Sequence, residues 1–526
     1  LNLVSQGGFL LSKLLEDYRA LHPALHPLLD QQEIDTGALA YAVHRLPAEV
    51  TRTTFYFLTP HLPTLYVDPD EKFTPVSTRS RRRYAWQALP GKVHVLLRDG
   101  ITDITDLLTC LCVYAVEARK IRRRCSTPEL LRALYHVQQG DPAVTEDALV
   151  EMVHLSPEEL AGLRAIWPED FWIRFRDILT HHEDVALECD FQIDNYNASA
   201  AEKWVRQIRE VAAKMVNLED SRLQVHIISS NTHSVGNCLS AFVARRAEAI
   251  LAWGRENHPE LTESDWRVER DLIYALMRHY IDEVEGAYES CVQEERAAGH
   301  HRLRATAFTG IAVDLICAQQ LDPSLIDPSL TMQRPENPVL IVNVDYAFGQ
   351  QAEEILANLL FLFGRQVRSV NVLGKAGGLM GGRGDLMLPR ATLLQTNDEL
   401  YPLPNADLDA GLLQRMAGEL PIHEGPVLTV SGTLLQNRQL LQFYRRIWKC
   451  VGLEMEGSYF ARKLISAIEM GIVRQDVASR FAYYISDVPL DTDENLSARM
   501  TPQEGVPPLY AITRTILQQV FDQTRR

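Results

Sequence analysis

Val339-Leu340-Ile341-Val342-Asn343-Val344 is a mostly apolar run of the length and composition of a buried β-strand. Residues 350–363 follow with apolar side chains at helical spacing, and residues 367–373 form a second strand-like run. A strand, a helix and a second strand within about 35 residues indicate a βαβ unit, with parallel strands and a right-handed crossover. This unit predicts an α/β fold.

The βαβ unit follows a change in composition. Prolines interrupt regular structure just before it, at Pro323, Pro328, Pro335 and Pro338. The sequence of 526 residues is also longer than one ordinary domain. We therefore expect a large α-rich N-terminal region of unknown role, residues 1–335, and a C-terminal domain, residues 336–526, with a central mixed sheet flanked by helices. The strand–turn–helix pattern at residues 223–236 fits either docking on that sheet or a place in the N-terminal region.

A glycine-rich segment follows the second strand. It reads Gly374-Lys375-Ala376-Gly377-Gly378-Leu379 and is expected to be a loop. Glycines at this place let the backbone approach a ligand and direct N–H groups at it. The carboxyl ends of parallel strands are where open α/β sheets bind ligands, so a binding site is favoured over a simple tight turn.

Two carboxylates stand out farther along the chain. In a helix beginning near Leu453, Glu456 shares the apolar face of Tyr459 and Phe460, so its carboxylate needs a partner, either a structural arginine or a ligand hydroxyl. Glu454 falls on the polar face and is expected to be solvated or to cap the helix. Asp487 follows a strand-like run, residues 481–485, and is the best general-acid candidate, although an aspartate that ends a strand also fits an ordinary turn.

In order along the chain, these segments resemble the motifs of the nucleoside phosphorylase and nucleosidase superfamily. The resemblance covers about residues 338–526, and its matching segments are residues 345–352, 374–379 with 384–388, 454–456, and 485–487. Within the superfamily they are most similar to AMP nucleosidases, which share the run Ser486-Asp487-Val488-Pro489-Leu490.

The resemblance implies a nucleoside-phosphorylase-like fold, a homo-oligomer and an enzyme that hydrolyses the N-glycosidic bond of a purine nucleotide or nucleoside. It implies that Asp487 protonates N7 of the purine, which Ser486 orients. Met455 would pack against the ribose, and Glu456 would bind its 2′-hydroxyl. The further substrate-binding residues that it implies are Gly374, Lys375, Ala376, Gly377, Gly378 and Thr433. No cofactor is expected.

The sequence departs from the superfamily in the anion-binding positions. Phosphorylases hold phosphate with an arginine before the glycine segment and a serine inside it, where this chain has Val372 and Lys375. This difference favours water as the nucleophile. Lys375, Arg383 and Arg390 are candidates for binding an anion such as a substrate 5′-phosphate, and Arg383 and Arg390 fit exposed loop cations equally well. The acid that activates water in the superfamily is not placed by the sequence.

The composition of the chain argues against some classes of binding partner. The chain has 53 Lys and Arg against 69 Asp and Glu, a formal net charge of −16, which argues against general binding of nucleic acid or anionic membranes. No apolar run reaches the roughly 18 to 20 residues that span a bilayer.

The eight cysteines include no C-x-x-C pair and are expected to be reduced thiols of a cytoplasmic protein. The run His181-His182-Glu183-Asp184 lacks helical ligand spacing, so no metal site is predicted.

The sequence is also compatible with two other functions. The long region without a matching motif also fits a regulatory protein that binds nucleotides on a nucleosidase-like scaffold. A purine nucleoside phosphorylase is the other alternative, which dependence on phosphate would identify.

Overall fold

The computed structural model describes residues 7–61, 73–80, 83–98, 101–138, 144–181, 184–190, 193–491 and 500–524. The chain divides into two compact units. One consists chiefly of Leu1–Asn197 and Ser431–Leu441, and the other of Ala198–Val430, Gln442–Glu494 and Arg499–Arg526. His182 and Glu183, from the His-His-Glu-Asp run, lie outside the described residues.

The first unit combines helices with a mixed sheet. Its helices are α1 (Leu15–Ala20), α2 (Thr36–Val43), α3 (Ile101–Cys125), α4 (Pro128–Gln138), α5 (Glu146–Met152), α6 (Pro157–Ile166) and α7 (Phe171–Thr180). Its strands are β1 (Gly8–Leu10), β2 (Phe55–Thr59), β3 (Thr74–Val76), β4 (Ala85–Leu89), β5 (Lys92–Leu96) and β6 (Ala186–Cys189). They lie in the order β1-β6-β2-β5-β4-β3, and β2 runs parallel to both β5 and β6.

The chain from Ile193 onward contains the remaining elements. The helices are α8 (Ile193–Met215), α9 (Thr232–Leu239), α10 (Ala241–Asn257), α11 (Pro259–Thr262), α12 (Glu269–Glu283), α13 (Ala287–Ala297), α14 (Gln351–Phe363), α15 (Ala410–Ala417), α16 (Arg438–Arg446), α17 (Gly457–Glu469) and α18 (Pro502–Gln523). The strands are β7 (Gln224–Ser229), β8 (His300–Leu303), β9 (Val313–Cys317), β10 (Val339–Val344), β11 (Val367–Gly378), β12 (Leu386–Leu388), β13 (Ala391–Leu394), β14 (Glu399–Pro402), β15 (Ile422–Glu424), β16 (Val427–Thr429), β17 (Gly452–Glu454) and β18 (Ala478–Asp487).

The second unit is built on a mixed sheet in which twelve of the described strands pair. Nine follow the order β14-β13-β16-β17-β11-β7-β10-β9-β8, while β18 pairs with β11 and β12, and β12 with β15. The strands β10, β7, β11 and β18 run parallel to one another at its centre. The α/β fold with a mixed sheet flanked by helices is therefore confirmed.

Alternating side chains explain why helices cover both faces of this sheet. In β10, Leu340 and Val342 belong to one hydrophobic core, whereas Val339 and Ile341 belong to another. Side chains of α8, α14 and α17 fill the first core, and those of α9, α10, α12 and α18 fill the second. Strands that are apolar on both faces are typical of a parallel sheet covered on both sides.

The observed units differ from the predicted division near residue 335. The second unit begins at Ala198, because β7, β8 and β9 all belong to its sheet. Strand β7 lies between β10 and β11, so these two strands of the predicted βαβ unit are parallel but do not pair directly. The described part of the chain contains no helix that is long and apolar enough to span a membrane.

Candidate active site

The glycine-rich segment is the carboxyl end of a strand and not the expected loop. Gly374 through Gly378 continue β11, and Lys375 alone among these five residues is exposed. The strand extends this far because its pairing with β18 continues to Gly377 and because β17 is added as a partner, with Gly378 opposite Gly452.

Gly377 brings two of the predicted motifs together. It pairs with Leu453, next to Glu454, and with Asp487 at the end of β18. A Cβ atom at Gly377 would stand 3.1 Å from Leu453 Cδ2 and 3.3 Å from Asp487 Oδ2. The absence of a side chain at this position therefore lets Asp487 and the segment around Glu454 approach the same strand end.

Asp487 is held by the residue before it. The Ser486 hydroxyl donates to Asp487 Oδ1 at 2.6 Å and lies 3.3 Å from the carbonyl oxygen of Ala376. Both residues are half-buried where β18 ends. This geometry fixes the carboxyl group at a partly accessible position beside the glycine segment.

The helix of the 454–456 segment begins later than predicted, and Glu454 has the capping role that was one of its two predicted roles. Residues 452–454 form β17, and α17 begins only at Gly457, with Glu456 as its N-cap residue. The helix begins here because the buried Glu454 carboxylate accepts the N–H groups of Glu456 at 2.7 Å and Gly457 at 2.5 Å. Glu454 also accepts the Thr429 hydroxyl at 2.5 Å. Burial raises the pKa of Glu454.

Glu456 is thus a half-buried residue at a helix start and does not occupy the helical face assigned to it. Its Oε1 atom accepts the N–H of Gly349, which follows β10, at 2.9 Å. Met455, between the two glutamates, is also half-buried. The carboxylate of Glu456 therefore links the turn after β10 to the amino end of α17.

Tyr483 is a polar group that the sequence reasoning missed, because it stands inside an apolar strand. The side chain is 3% exposed, and its hydroxyl has no hydrogen-bond partner among the described residues. A Cβ atom at Gly457 would stand 2.9 Å from both this hydroxyl and Glu454 Oε1. Burial, followed by the charges of Glu454 and Glu456, raises the pKa of Tyr483 well above its usual value, so the hydroxyl keeps its proton.

A cavity of about 540 Å³ opens beside Lys375 within the second unit. Residues of α9, α12 and α18 and of the neighbouring strands and turns line it, among them Asn231, His233, Asn237, Tyr274, Arg278, Asp282, Arg302, Tyr484, Thr501 and Tyr510. Of the site residues that the sequence predicts, Lys375 alone is in the described lining of the cavity. The sequence did not indicate α12 as a wall of the site, because its pattern is that of an ordinary amphipathic helix.

Two of the three lysine and arginine side chains in the described lining are not ion-paired. Lys375 and Arg278 have no hydrogen-bond or ion-pair partner among the described residues, whereas Arg302 makes two hydrogen bonds to Glu295. Although the Lys375 side chain reaches solvent, desolvation by the surrounding groups lowers its pKa; the carboxylate of Asp487 opposes this decrease and Arg383 adds to it.

His233, at the start of α9, lies in the cavity lining, and its side chain is exposed. Desolvation by the surrounding groups lowers its pKa, and the charges of Arg278 and Lys375 contribute to the decrease. Asp282 is the acidic side chain in the described lining. This arrangement can bind an anion.

Three other predicted residues are not in the described lining of this cavity. Thr433 belongs to the first unit, where its hydroxyl is 2.7 Å from that of Tyr41. Arg383 lies 3.5 Å from Glu504. Arg390 is an exposed cation whose guanidinium lies 3.9 Å from Glu424 and 3.4 Å or more from two backbone carbonyls, so its surroundings match the loop-cation interpretation.

Comparisons with known proteins give one family and several distant structures. The model of a family described as "Family of unknown function (DUF6909)" matches residues 11–522. No curated protein matches the chain. The chain is similar to the 5′-methylthioadenosine/S-adenosylhomocysteine nucleosidase of Campylobacter jejuni, with 10% identity, 57% of this chain and 99% of that chain covered, and a TM-score of 0.32.

Two further solved structures are similar to the same degree. Futalosine hydrolase of Helicobacter pylori shares 13% identity over 57% of this chain and 97% of that chain, with a TM-score of 0.31. Uridine phosphorylase of Schistosoma mansoni, in complex with thymidine, shares 11% identity over 60% of this chain and 91% of that chain, with a TM-score of 0.34. At these values the similarity assigns no residue a role.

Proposed function

The chain belongs to DUF6909, a family of unknown function, and from that premise we propose that it is an N-ribosidase that hydrolyses the N-glycosidic bond of a purine nucleotide or nucleoside. The observation that carries the proposal is the double pairing of Gly377. It brings a half-buried carboxyl group, Asp487, and the Glu454–Glu456 segment to the end of one central parallel strand.

Asp487 is proposed as the general acid. Cleavage of the N-glycosidic bond leaves the electron pair on the purine, and a proton delivered to N7 stabilises that leaving group. General-acid help of this kind contributes roughly 10²- to 10⁴-fold to the rate. The hydrogen bond from Ser486 at 2.6 Å orients the carboxyl group for this transfer.

Glu456 and Met455 are proposed to hold the ribose. A carboxylate on the sugar side binds a hydroxyl group and stabilises the positive charge that develops on the ring as the bond breaks. Glu454 does not contact the sugar in this proposal. It positions Glu456, since its buried carboxylate accepts the N–H of Glu456.

Lys375 and Arg278 are proposed to bind the 5′-phosphate of a nucleotide. A phosphate monoester carries about −1.5 to −2 charges at pH 7 and offers strong acceptor oxygens. Two cations without partners among the described residues match such a group, and they extend the site from β11 to α12. AMP or a close relative is therefore the proposed substrate.

Phosphorolysis is a second candidate because the same cations also fit free phosphate as the nucleophile. Val372, where the superfamily's phosphorylases have an arginine, favours water instead. The two reactions give different products: hydrolysis yields ribose 5-phosphate from AMP, whereas phosphorolysis consumes phosphate and yields a ribose 1-phosphate derivative.

The test is base release by the purified full chain. AMP, adenosine and the other common nucleosides and nucleotides are incubated with the protein, with and without phosphate, and the free base is separated by chromatography. We expect adenine and ribose 5-phosphate from AMP without added phosphate. Failure of the whole panel to release base would refute the proposed activity, and binding without turnover would select the regulatory alternative.

A further inference from the structure

Three metal-ligating side chains meet at the outer end of α12. His258 follows the last residue of α10, while His279 and Glu283 lie one turn apart on α12. His258 Nε2 is 3.1 Å from both carboxylate oxygens of Glu283, and His279 Nδ1 is 3.2 Å from Glu283 Oε1. One ligand atom from each residue lies within 4.8 Å of the other two.

The distances between the ligand atoms of these three residues are close to the distances between neighbouring ligand atoms around a small tetrahedral ion. A zinc ion takes imidazole nitrogens and carboxylate oxygens at about 2.0 to 2.2 Å, which places neighbouring ligand atoms about 3.3 Å apart. We propose that His258, His279 and Glu283 bind a divalent transition-metal ion of the Zn²⁺ class, with solvent completing the coordination. The site requires small movements of side chains that are 14%, 42% and 46% exposed.

The position of Glu260 supports a site of this kind. Its Oε1 atom lies 3.0 Å from His258 Nδ1, on the side of the ring away from Glu283. A carboxylate at the second nitrogen of a metal-bound histidine fixes the ring and its tautomer. With a proton on Nδ1 facing Glu260, the Nε2 lone pair faces the carboxylate of Glu283. Two acceptors in this arrangement require a cation between them, either a metal ion or a second proton on His258.

A bound ion would connect the end of α10 to α12, which also carries Arg278 of the cavity. The sequence indicates two of the three ligands, because His279 and Glu283 have the i, i+4 spacing that places them on one helical face. The third ligand comes from a different element. The proposal does not depend on the enzymatic function.

The experiment uses the full chain after treatment with a chelator. Zinc chloride alone is titrated into the protein in a calorimeter, and the melting temperature is measured with and without the ion. We expect one zinc per chain at this site, a higher melting temperature, and the visible absorption of tetrahedral Co²⁺ when cobalt replaces zinc.

Variants test whether the bound zinc is at this site or at other groups of the protein. His279→Ala and Glu283→Gln are expected to remove the one equivalent, and Glu260→Gln to weaken binding about 10- to 100-fold. Glu263→Gln, an exposed glutamate three residues after Glu260, is the matched control and should bind as the unmodified chain does. Absence of zinc binding, or binding that persists unchanged in His279→Ala, would overturn the proposal and leave protonated His258 as the cation in the cluster.

Discussion

The backbone of Gly378 lies against the side chain of Ile485. A Cβ atom at Gly378 would stand 2.8 Å from Ile485 Cγ2 and 2.9 Å from its Cδ1, closer than side-chain atoms pack in proteins. Ile485 is itself fully buried and precedes Ser486 and Asp487. The glycine at position 378 therefore determines where the strand that carries the proposed general acid can lie.

Gly378→Ala should destabilise the protein and reduce its activity. The added methyl group must displace Ile485 in a packed core, a change that typically costs about 1 to 3 kcal/mol. Thermal unfolding of the full chain measures the loss. Gly382→Ala is the matched control, because a Cβ atom there meets nothing within 4 Å. Equal melting temperatures for the two variants would contradict the proposed role of Gly378.

The elements with strong local signals could be predicted from the sequence. Strand β10 and helix α14 appear at residues 339–344 and 351–363, almost as their hydrophobic patterns indicate. The segments around Gly377 and Asp487 also have recognisable residue patterns, and pairing within the sheet brings them together. Local pattern was sufficient for β10 and α14 because their apolar residues repeat at the spacing of a buried strand and of a helix.

Long-range pairing was harder to predict. Nothing local shows that β7 inserts between β10 and β11, since its pattern fits any buried strand. The place of Glu454 depends on hydrogen bonds to N–H groups at the start of α17, and helical periodicity wrongly placed the helix start near Leu453. Arg278 joins the cavity only through the packing of α12.

The buried His226 should make the protein less stable in mild acid. It lies in β7, where Nδ1 is 2.8 Å from the Ser369 hydroxyl, and burial lowers its pKa to about 3. As pH falls below the unfolded value of about 6.5, the unfolded chain takes up a proton that the folded imidazole does not, so the free energy of unfolding decreases. At about pH 5 this loss amounts to about 2 kcal/mol.

The measurement is the melting temperature at about pH 7.5 and about pH 5, a range that brackets the unfolded histidine pKa. His226→Gln should show a smaller decrease on acidification than the unmodified chain, even if its melting temperature is lower at both values. His136→Gln, which changes an exposed histidine of α4, is the control and should follow the unmodified chain. An equal decrease in all three proteins would refute the prediction.

Arg278→Gln should raise KM for AMP more than it affects adenosine. A hydrogen bond to a charged group contributes about 1.5 to 3 kcal/mol, so loss of the guanidinium should raise KM for the nucleotide about 10- to 100-fold. The kcat value should change little, because the phosphate lies away from the bond that breaks. Arg365→Gln, at another exposed arginine, is the control. An identical change in KM for AMP and adenosine would exclude a phosphate contact by Arg278.

Asp487→Asn should lower kcat for AMP by about 10²- to 10⁴-fold, because the amide cannot deliver a proton to N7. A p-nitrophenyl riboside, 5′-phosphorylated if the nucleotide is the substrate, needs no such proton, since its leaving group is stable as an anion. The variant should therefore retain most activity on this compound. Asp476→Asn, which alters an exposed aspartate paired with Arg474, is the control for both substrates. If Asp487→Asn loses activity equally on AMP and on the p-nitrophenyl compound, Asp487 acts in binding or folding and is not the general acid.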